Sequence, residues 1–245
     1  MLSADVILLE EVENRDVVLN DLADKLGEKR GIPYSSRWLI RGNDGIRNIA
    51  LISTLPIASE DVISHDDVFD ANGNSPPQGG QTFTFARNCL EVTVRHYGYP
   101  VTLFGVHYKA KSNDDPARRL AEARRTRKLV DARFAVDPNA RLVVLGDFND
   151  TPGSPPMNAL TTPLPPLSSG VSLLPPDQAW THPFGTPNQL IDDQNVSPSL
   201  ALARVRESIT VWHDYDTGFP ENLREVSDHS PVAITYHLGD APLPP

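Results

Sequence analysis

Five separate stretches of the sequence place an acid, an amide or an imidazole at one end of a strand-like run. Such residues can hydrolyse phosphate esters, because carboxylates hold hard cations such as Mg²⁺ and a carboxylate–imidazole pair can activate water. Taken singly, each also fits a turn or a solvated acidic surface. The residues are Glu10 and Glu11, His107, Asp147 and Asn149, Asp192, and Asp228 and His229.

The stretch VVLGDFND carries an acid and an amide close together, with Asp147 and Asn149 on either side of Phe148. Residues two apart in an extended chain share a face, so the two polar side chains leave the sheet together while Phe148 turns into the core. The continuous apolar run at 142–145 predicts a strand that is covered on both faces. An Asx turn that only caps this strand is the simpler alternative.

The composition indicates one soluble domain with unevenly distributed charge. The 245 residues are 39% hydrophobic, and no shift in composition divides them, so we expect a single domain over 1–245 with a flexible tail at 239–245. The net charge of −10 argues against broad electrostatic binding to nucleic acid. Residues 105–133, however, carry nine Lys or Arg and four Asp or Glu, which gives +5 and leaves −15 for the remainder.

Cysteine content and hydropathy exclude several classes of protein. Cys89 is the only cysteine, so no intrachain disulfide can form, and any metal must be held by oxygen or imidazole. No apolar run approaches the length of a transmembrane helix, and the N-terminus lacks the basic start and cleavage site of a signal peptide. We expect a soluble monomer without stable membrane insertion.

Strand and helix patterns alternate at first and then give way to consecutive strands. A strand over ADVILLEEV precedes a helix with Asn14 as its cap and Gly27 near its end, and a second helix begins with Asp115 as cap and Pro116 in its first turn. Strands joined partly by helices and partly by loops indicate two packed sheets flanked by helices. The other expected strands are at 34–40, 46–53, 83–95 and 101–107, with weaker ones at 189–196, 207–212 and 231–237.

The motifs LLEEVEN, GVHYKAKS, GDFND, LIDD and SDHSPV, in this order, resemble the motif series of the endonuclease/exonuclease/phosphatase superfamily, which includes deoxyribonuclease I. The likeness spans Asp5 to Leu238 and is greatest to bacterial nucleases of extracellular type. It implies a four-layer α/β/β/α sandwich of two mostly antiparallel sheets flanked by helices, in agreement with the pattern of strands and helices. Full-length members are often secreted, so the compartment stays open.

The resemblance also implies a divalent cation. Glu11 matches the metal-binding glutamate, with Glu10 in the slot of the usual glutamine, and Asp228 matches a residue that holds the metal or its waters. Mg²⁺ or Mn²⁺ is expected, and Ca²⁺ would also suit oxygen ligands. We therefore predict that Glu11 and Asp228, rather than histidine, bind the cation.

The catalytic residues implied by the resemblance are His107, Asp147, Asn149, Asp192 and His229. Asp147 and Asn149 match the pair that orients the attacking water and holds a phosphate oxygen, and Asp192 matches the acid that fixes the histidine at 229. Either His229 or Asp147 could take the proton of water. His107 could then stabilise or protonate the leaving oxygen.

Other charged and imidazole side chains have less specific expectations. Lys109 and Lys111 follow His107 closely and are placed to meet a substrate phosphate. The helix around 114–134 has an apolar stripe, so most of its arginines are expected to be ordinary solvent-facing charges. Five histidines match no motif and are expected to be surface or packing residues: His65, His96, His182, His213 and His237.

One departure from the family pattern concerns the N-terminus. Family members usually begin with a strand that ends in an asparagine of the metal site, and no such segment precedes Asp5. We therefore expect the first strand to be missing, which would expose a sheet edge and remove one metal ligand unless another segment replaces it.

Two functions of different classes follow from the sequence. The first is a metal-dependent phosphodiesterase, most simply a nuclease with nucleic acid as substrate, although lipid head groups and small phosphoesters stay open. The second is a catalytically impaired relic that binds a phosphate ligand or a protein through the same cleft. The enzyme is favoured because a relic would have little reason to keep five motif residues together: Asp147, Asn149, Asp192, Asp228 and His229.

Overall fold

The computed structural model describes residues 4–183, 187–213 and 227–239. The α-helices are α1 (Asp16–Arg30), α2 (Pro116–Val136), α3 (Pro155–Thr161) and α4 (Pro198–Leu202). The strands of the two main sheets are β1 (Val6–Val12), β2 (Ser36–Ile40), β3 (Asn48–Ser53), β4 (Val62–His65), β7 (Cys89–His96), β8 (Tyr99–His107), β9 (Leu142–Asp147), β10 (Ser168–Ser169) and β11 (Asp192–Val196). Two short pairs complete the set: β5 (Phe69–Asp70) with β6 (Thr82–Phe83), and β12 (Thr210–Val211) with β13 (Val232–Ala233).

The two main sheets differ in size and in strand direction. The smaller sheet has the order β1-β3-β2 and is antiparallel throughout. The larger sheet has the order β10-β11-β9-β8-β7-β4, and only β8 and β9 run parallel, joined by the crossover through α2. Within the described residues, β1 forms one edge of the smaller sheet.

Alternation along the strands builds four layers. On β8, Val101 and Leu103 pack between the sheets, whereas Phe104 and Val106 pack against the helices α2 and α3. On β3, Leu51 faces the larger sheet, whereas Ile52 faces α1. Because neighbouring strand residues point to opposite faces, each sheet is apolar on both sides and is covered on both. The α/β/β/α sandwich expected from the sequence is therefore confirmed.

The beginning of α1 differs from the expected one. Arg15, not Asn14, occupies the cap position and makes no side-chain capping bond, and Gly27 is a buried residue inside the helix. Gly31 ends the helix in the left-handed conformation, with its N–H donating to the Gly27 carbonyl, as C-terminal glycines commonly do. Gly27 lies near the end of the helix, as expected, and it allows close packing, because a Cβ on it would lie 3.2 Å from the Pro33 backbone. The prediction of Asn14 as the cap is wrong by one residue, because the Asn14 side chain instead accepts from Arg41 and donates to the Gly45 carbonyl.

The helix α2 begins as predicted, with Pro116 in its first turn and the Asp115 carboxylate accepting from the Arg118 N–H. Its arginines are not ordinary solvent-facing charges, because all six have a protein partner. Arg119 and Arg127 are buried. The partners are Thr84 for Arg118, Asp114 and Asp150 for Arg119, Ala71 for Arg124, Asp67 for Arg125, Asp131 for Arg127, and Glu91 for Arg133.

Several strand predictions also need correction. The single strand expected at 83–95 is two strands, β6 and β7, separated by residues 84–88. The strands β4, β5 and β10 and the helices α3 and α4 were not expected, since segments this short give little periodicity. The three weaker strands were placed correctly, but β11, β12 and β13 are each shorter than the expected strand. The predicted tail lies outside the described residues beyond Gly239, and the single domain over 1–245 stays a prediction.

Candidate active site

Three adjacent strands of the larger sheet, β8, β9 and β11, carry polar residues at the same end of the sheet. His107 ends β8 and lies opposite Asp147, which ends the parallel strand β9. Asp192 begins the antiparallel strand β11 and also lies opposite Asp147. The register therefore places His107, Asp147 and Asp192 in one row, with Asp147 as the central residue of the three.

The smaller sheet adds a carboxylate beside a glycine. The Glu10 side chain on β1 accepts a hydrogen bond from the Asp147 N–H at 2.7 Å. Gly146 makes room for it, because a Cβ there would lie 2.4 Å from Glu10 Oε1 and 2.0 Å from the Val106 carbonyl oxygen. Its φ of +131° is also a conformation that only glycine adopts readily. The glycine of GDFN therefore allows the two sheets to meet at the site.

Asp147 and Asn149 stay together by a turn rather than by strand alternation. Asn149 has a left-handed φ of 50°, and the two Asp147 oxygens accept from its N–H at 2.7 Å and from its side-chain Nδ2 at 2.8 Å. Asn149 Nδ2 also donates to the Tyr108 carbonyl. Phe148 is buried, as expected. The Asx turn is thus present, and it also fixes both polar side chains at the site.

Asp192 and His229 form a close pair. His229 Nδ1 lies 2.8 Å and 3.0 Å from the two Asp192 carboxylate oxygens. Burial lowers the pKa of His229, but the hydrogen bond that its ring donates to Asp192 and the charge of that carboxylate outweigh this and raise the pKa to about 9. The imidazole is therefore both oriented and made more basic by its acid partner.

A buried threonine holds this pair in register. Thr181 Oγ1 accepts hydrogen bonds from the backbone N–H groups of Ile191 and Asp192. The Thr181 carbonyl accepts from the Ser230 N–H at 2.7 Å, and Thr181 has no exposed surface. The residue that follows His229 is therefore tied to the same threonine as the backbone of Asp192, which keeps the imidazole facing the carboxylate.

His107 lies in a different environment from His229. It is buried, with Nε2 3.4 Å from Asp147 Oδ2 and 4.0 Å from Glu11 Oε1. Burial, together with the positive charge of Arg87, lowers the pKa of His107 to about 3. His107 is therefore neutral at physiological pH, whereas His229 is largely protonated when no cation is bound.

The carboxylates at the centre of the site repel one another. Burial raises the pKa of Glu10 well above its usual range, and the charges of Asp147 and Asp192 raise it further. Burial and the charge of Asp192 likewise raise the pKa of Asp147. Crowded acids of this kind are stabilised by positive charge. These oxygen donors fit a hard divalent cation, and Asp147, Asp192 and His229 have one ligand atom each within 4.8 Å of the others.

The two residues predicted to bind the metal, Glu11 and Asp228, lie in different surroundings. Glu11 has a half-exposed side chain near Arg47 and His107, and Asp228 lies beside His229, with Oδ1 3.9 Å from Nε2. Among the described residues, the clusters with metal-ligand spacing include Asp228 but not Glu11. Binding of a cation by Glu11 and Asp228 together stays a prediction.

The two lysines expected to meet phosphate have protein partners. Lys109 Nζ donates to the carbonyls of Ala110 and Ser112, and Lys111 Nζ lies 3.6 Å from Asp150 Oδ1. The Lys111 side chain is about half exposed, so it can turn towards a ligand without losing a short hydrogen bond. A role of either lysine in substrate binding stays a prediction, and the geometry favours Lys111.

Three residues of the site were missed or undervalued from the sequence. Glu10 was noted only as a substituted glutamine, and Arg87 was not considered. His182, expected to be a surface or packing residue, lies with its ring centroid 4.7 Å from that of His229 and its Nε2 3.3 Å from Asp228 Oδ2. A loop, not a strand end, brings His182 beside these residues, and periodicity along the chain gives no signal for loops.

A model of the Endonuclease/Exonuclease/phosphatase family matches residues 2–229. This match covers nearly the whole span over which the sequence motifs occur, and it includes all the predicted site residues. No curated protein sequence matches the chain. The likeness to bacterial nucleases of extracellular type stays a prediction.

Solved structures from several organisms have the same fold. TDP2 from C. elegans has a TM-score of 0.63 at 16% identity, over 96% of this chain and 65% of that one, so this chain spans slightly less than two thirds of that protein. The human Nocturnin catalytic domain with bound sulfate gives 0.55 at 15%, over 94% and 81%. Beta toxin from Staphylococcus aureus gives 0.55 at 16%, over 96% and 87%. At these identities the likeness shows the fold.

No helix among the described residues is long and apolar enough to span a membrane.

Proposed function

Since the chain belongs to the endonuclease/exonuclease/phosphatase family, we propose that it is a divalent-metal-dependent phosphodiesterase, and more specifically a nuclease. The observation that carries this proposal is the Asp192–His229 pair, which lies beside the buried carboxylate of Asp147. An imidazole oriented by one acid and facing another is suited to activating water next to a bound cation.

The cation would be held by oxygen atoms. Glu10, Asp147 and Asp192 supply buried or half-buried carboxylates whose mutual repulsion a positive charge would relieve. Glu11 and Asp228 lie at the rim and could bind the ion directly or through its waters. When bound, Mg²⁺ or Mn²⁺ supplies charge neutralisation for the phosphate and for the transition state.

His229 is the better candidate for the base. Its Nδ1 faces the Asp192 carboxylate, so Nε2 is left to accept a proton from water. Asp147 is less suited, because both of its oxygens already accept hydrogen bonds from Asn149. The pKa of His229 falls towards its ordinary value when positive charge is placed among these carboxylates, which leaves more of the imidazole in the neutral form.

His107 has a different role in this proposal. A neutral imidazole with a pKa of about 3 cannot supply a proton as an acid near neutral pH. It can still donate a hydrogen bond through one ring nitrogen to a phosphate oxygen or to the leaving oxygen. We therefore assign stabilisation, not protonation, of the leaving group to His107.

Nucleic acid is the proposed substrate, although the charge argument for it is weaker than the sequence suggested. The arginines of α2 are paired within the protein and so contribute little free positive surface. Lys111 and Arg47, whose side chains are about half exposed, lie near the site and could meet a phosphate chain.

The test is hydrolysis of bis-p-nitrophenyl phosphate with Mg²⁺ or Mn²⁺, against an EDTA control and the His229→Ala variant. We expect turnover that needs the metal and is lost in the variant. A parallel panel of plasmid DNA, RNA and sphingomyelin under one metal condition identifies the substrate class. Hydrolysis of sphingomyelin alone would contradict the nuclease assignment, and absence of metal-dependent turnover on every substrate would favour the catalytically impaired relic.

A further inference from the structure

Two imidazoles and a carboxylate meet just outside the row of buried acids. His182 Nε2 lies 3.3 Å from Asp228 Oδ2, and His229 Nε2 lies 3.9 Å from Asp228 Oδ1. One ligand atom from each of the three residues lies within 4.8 Å of the others. The donor set is therefore two nitrogens and one oxygen, gathered at one point.

The spacing of these donors suits a transition-metal ion. Ligands about 2.0–2.1 Å from a tetrahedral zinc ion lie roughly 3.4 Å from one another. One ligand atom from each residue already lies within 4.8 Å of the other two, so side-chain rotations can bring the three donors to that spacing. Imidazole nitrogen favours Zn²⁺ and similar ions over Mg²⁺, which prefers oxygen.

We propose that His182, Asp228 and His229 form a binding site for a borderline divalent ion such as Zn²⁺. The Asp192 carboxylate at His229 Nδ1 leaves Nε2 turned towards the ion, the arrangement in which metal-bound histidines are usually held. The Asp228 side chain is 76% exposed, which gives the ion a path from solvent and leaves space for water as a further ligand.

The site has a functional consequence that rests on the proposed function. His229 Nε2 is the atom that we assign to take a proton from water, and an ion bound to its lone pair blocks that step. Zn²⁺ is therefore an inhibitor that acts through His182, Asp228 and His229, while Mg²⁺ supports turnover through the buried carboxylates. The enzyme would be switched off by a rise in free Zn²⁺.

Binding can be measured without substrate. The metal-free chain is titrated with Zn²⁺ against a chromophoric chelator, and Co²⁺ is used as a second probe for its visible absorption. We expect one tight site, and at least tenfold weaker binding in both His182→Ala and His182→Gln. His96→Ala is the matched control, because His96 ends β7 and contacts Tyr97, and it should bind as the unchanged protein does. Mg²⁺ binding should be the same in all four proteins.

Thermal melts in EDTA show whether each variant is folded, and the Gln variant provides a second test if Ala disturbs the loop. Equal Zn²⁺ affinity in the unchanged protein and in a folded His182 variant would contradict the proposed site. In the activity assay, Zn²⁺ should inhibit the Mg²⁺-supported reaction at lower concentration in the unchanged protein than in His182→Gln. Tight Zn²⁺ binding through His182 in a protein that hydrolyses no phosphodiester would keep the metal site and remove only the proposed function.

Discussion

The Glu10 carboxylate on β1 accepts a hydrogen bond from the backbone N–H of Asp147 on β9, across the interface between the two sheets. This bond positions the strand end that carries Asp147 and Asn149, and it depends on Gly146, whose missing side chain leaves space for Glu10. The site is therefore assembled by both sheets together.

Gly146→Ala should destabilise the protein by on the order of 3 kcal/mol, because the new Cβ would meet the Val106 carbonyl and the residue would be strained at its positive φ. Gly45→Ala is the control, since Gly45 also has a positive φ but no atom within 4 Å of its added Cβ, and it should cost about 1 kcal/mol. Urea unfolding of both variants gives the comparison. An equal loss of unfolding free energy in the two variants would show that the close approach of Glu10 and Val106 to Gly146 does not affect stability.

Glu10→Gln should raise stability in EDTA, and the gain should grow as the pH rises. The pKa of Glu10 is raised in the folded protein by burial and by Asp147 and Asp192, so the stability that the neutral acid contributes is full below the unfolded pKa and is lost as the pH rises towards the folded one. Glutamine keeps the acceptor for the Asp147 N–H without this loss. Unfolding curves of both proteins between pH 4 and pH 8 measure the difference. A gain independent of pH would contradict the charge argument.

Asp192→Asn should lower the pKa of His229. Burial opposes the charged imidazole, and the Asp192 carboxylate is the main reason that the pKa is nevertheless raised to about 9, whereas an amide supplies no negative charge. NMR titration of the metal-free protein should show the His229 resonance moving at lower pH in the variant. The proposed activity should fall on the order of a hundredfold or more, because the imidazole loses the group that orients it. An unchanged titration would mean that the pair seen in the structure does not govern the histidine.

His229→Ala and Asp147→Ala should each remove most phosphodiesterase activity, on the order of a hundredfold or more in kcat/KM, while the fold stays intact. His237→Ala should change little, because His237 has no carboxylate partner in the motif set and its backbone N–H bonds to Ala203. Residues that act as a unit are not additive, so the double variant should be scarcely worse than the poorer single one. Circular dichroism melts control for folding. Near-normal turnover in folded His229→Ala would contradict the role of the SDH segment.

The sequence by itself determined the layer architecture and most of the residues at the strand ends. The continuous apolar run of β9, the cap at Asp115 and the polar residues at the strand ends are local patterns, and local patterns can be recognised without the structure. The order of the motifs then indicated that Asp147, Asp192 and His229 belong to one site. The cap of α1 was placed one residue too early, at Asn14, because the Asn14 side chain bonds instead to Arg41 and Gly45, which are tertiary contacts.

Only the tertiary structure decided how the site is charged and which loop completes it. The neutral state of His107 follows from its burial beside Arg87, and the raised pKa of Glu10 follows from its burial next to acids that are distant in sequence. The approach of His182 to Asp228 and His229 joins two loops. Burial and distances between remote segments have no periodicity along the chain, so they are set only when the two sheets pack.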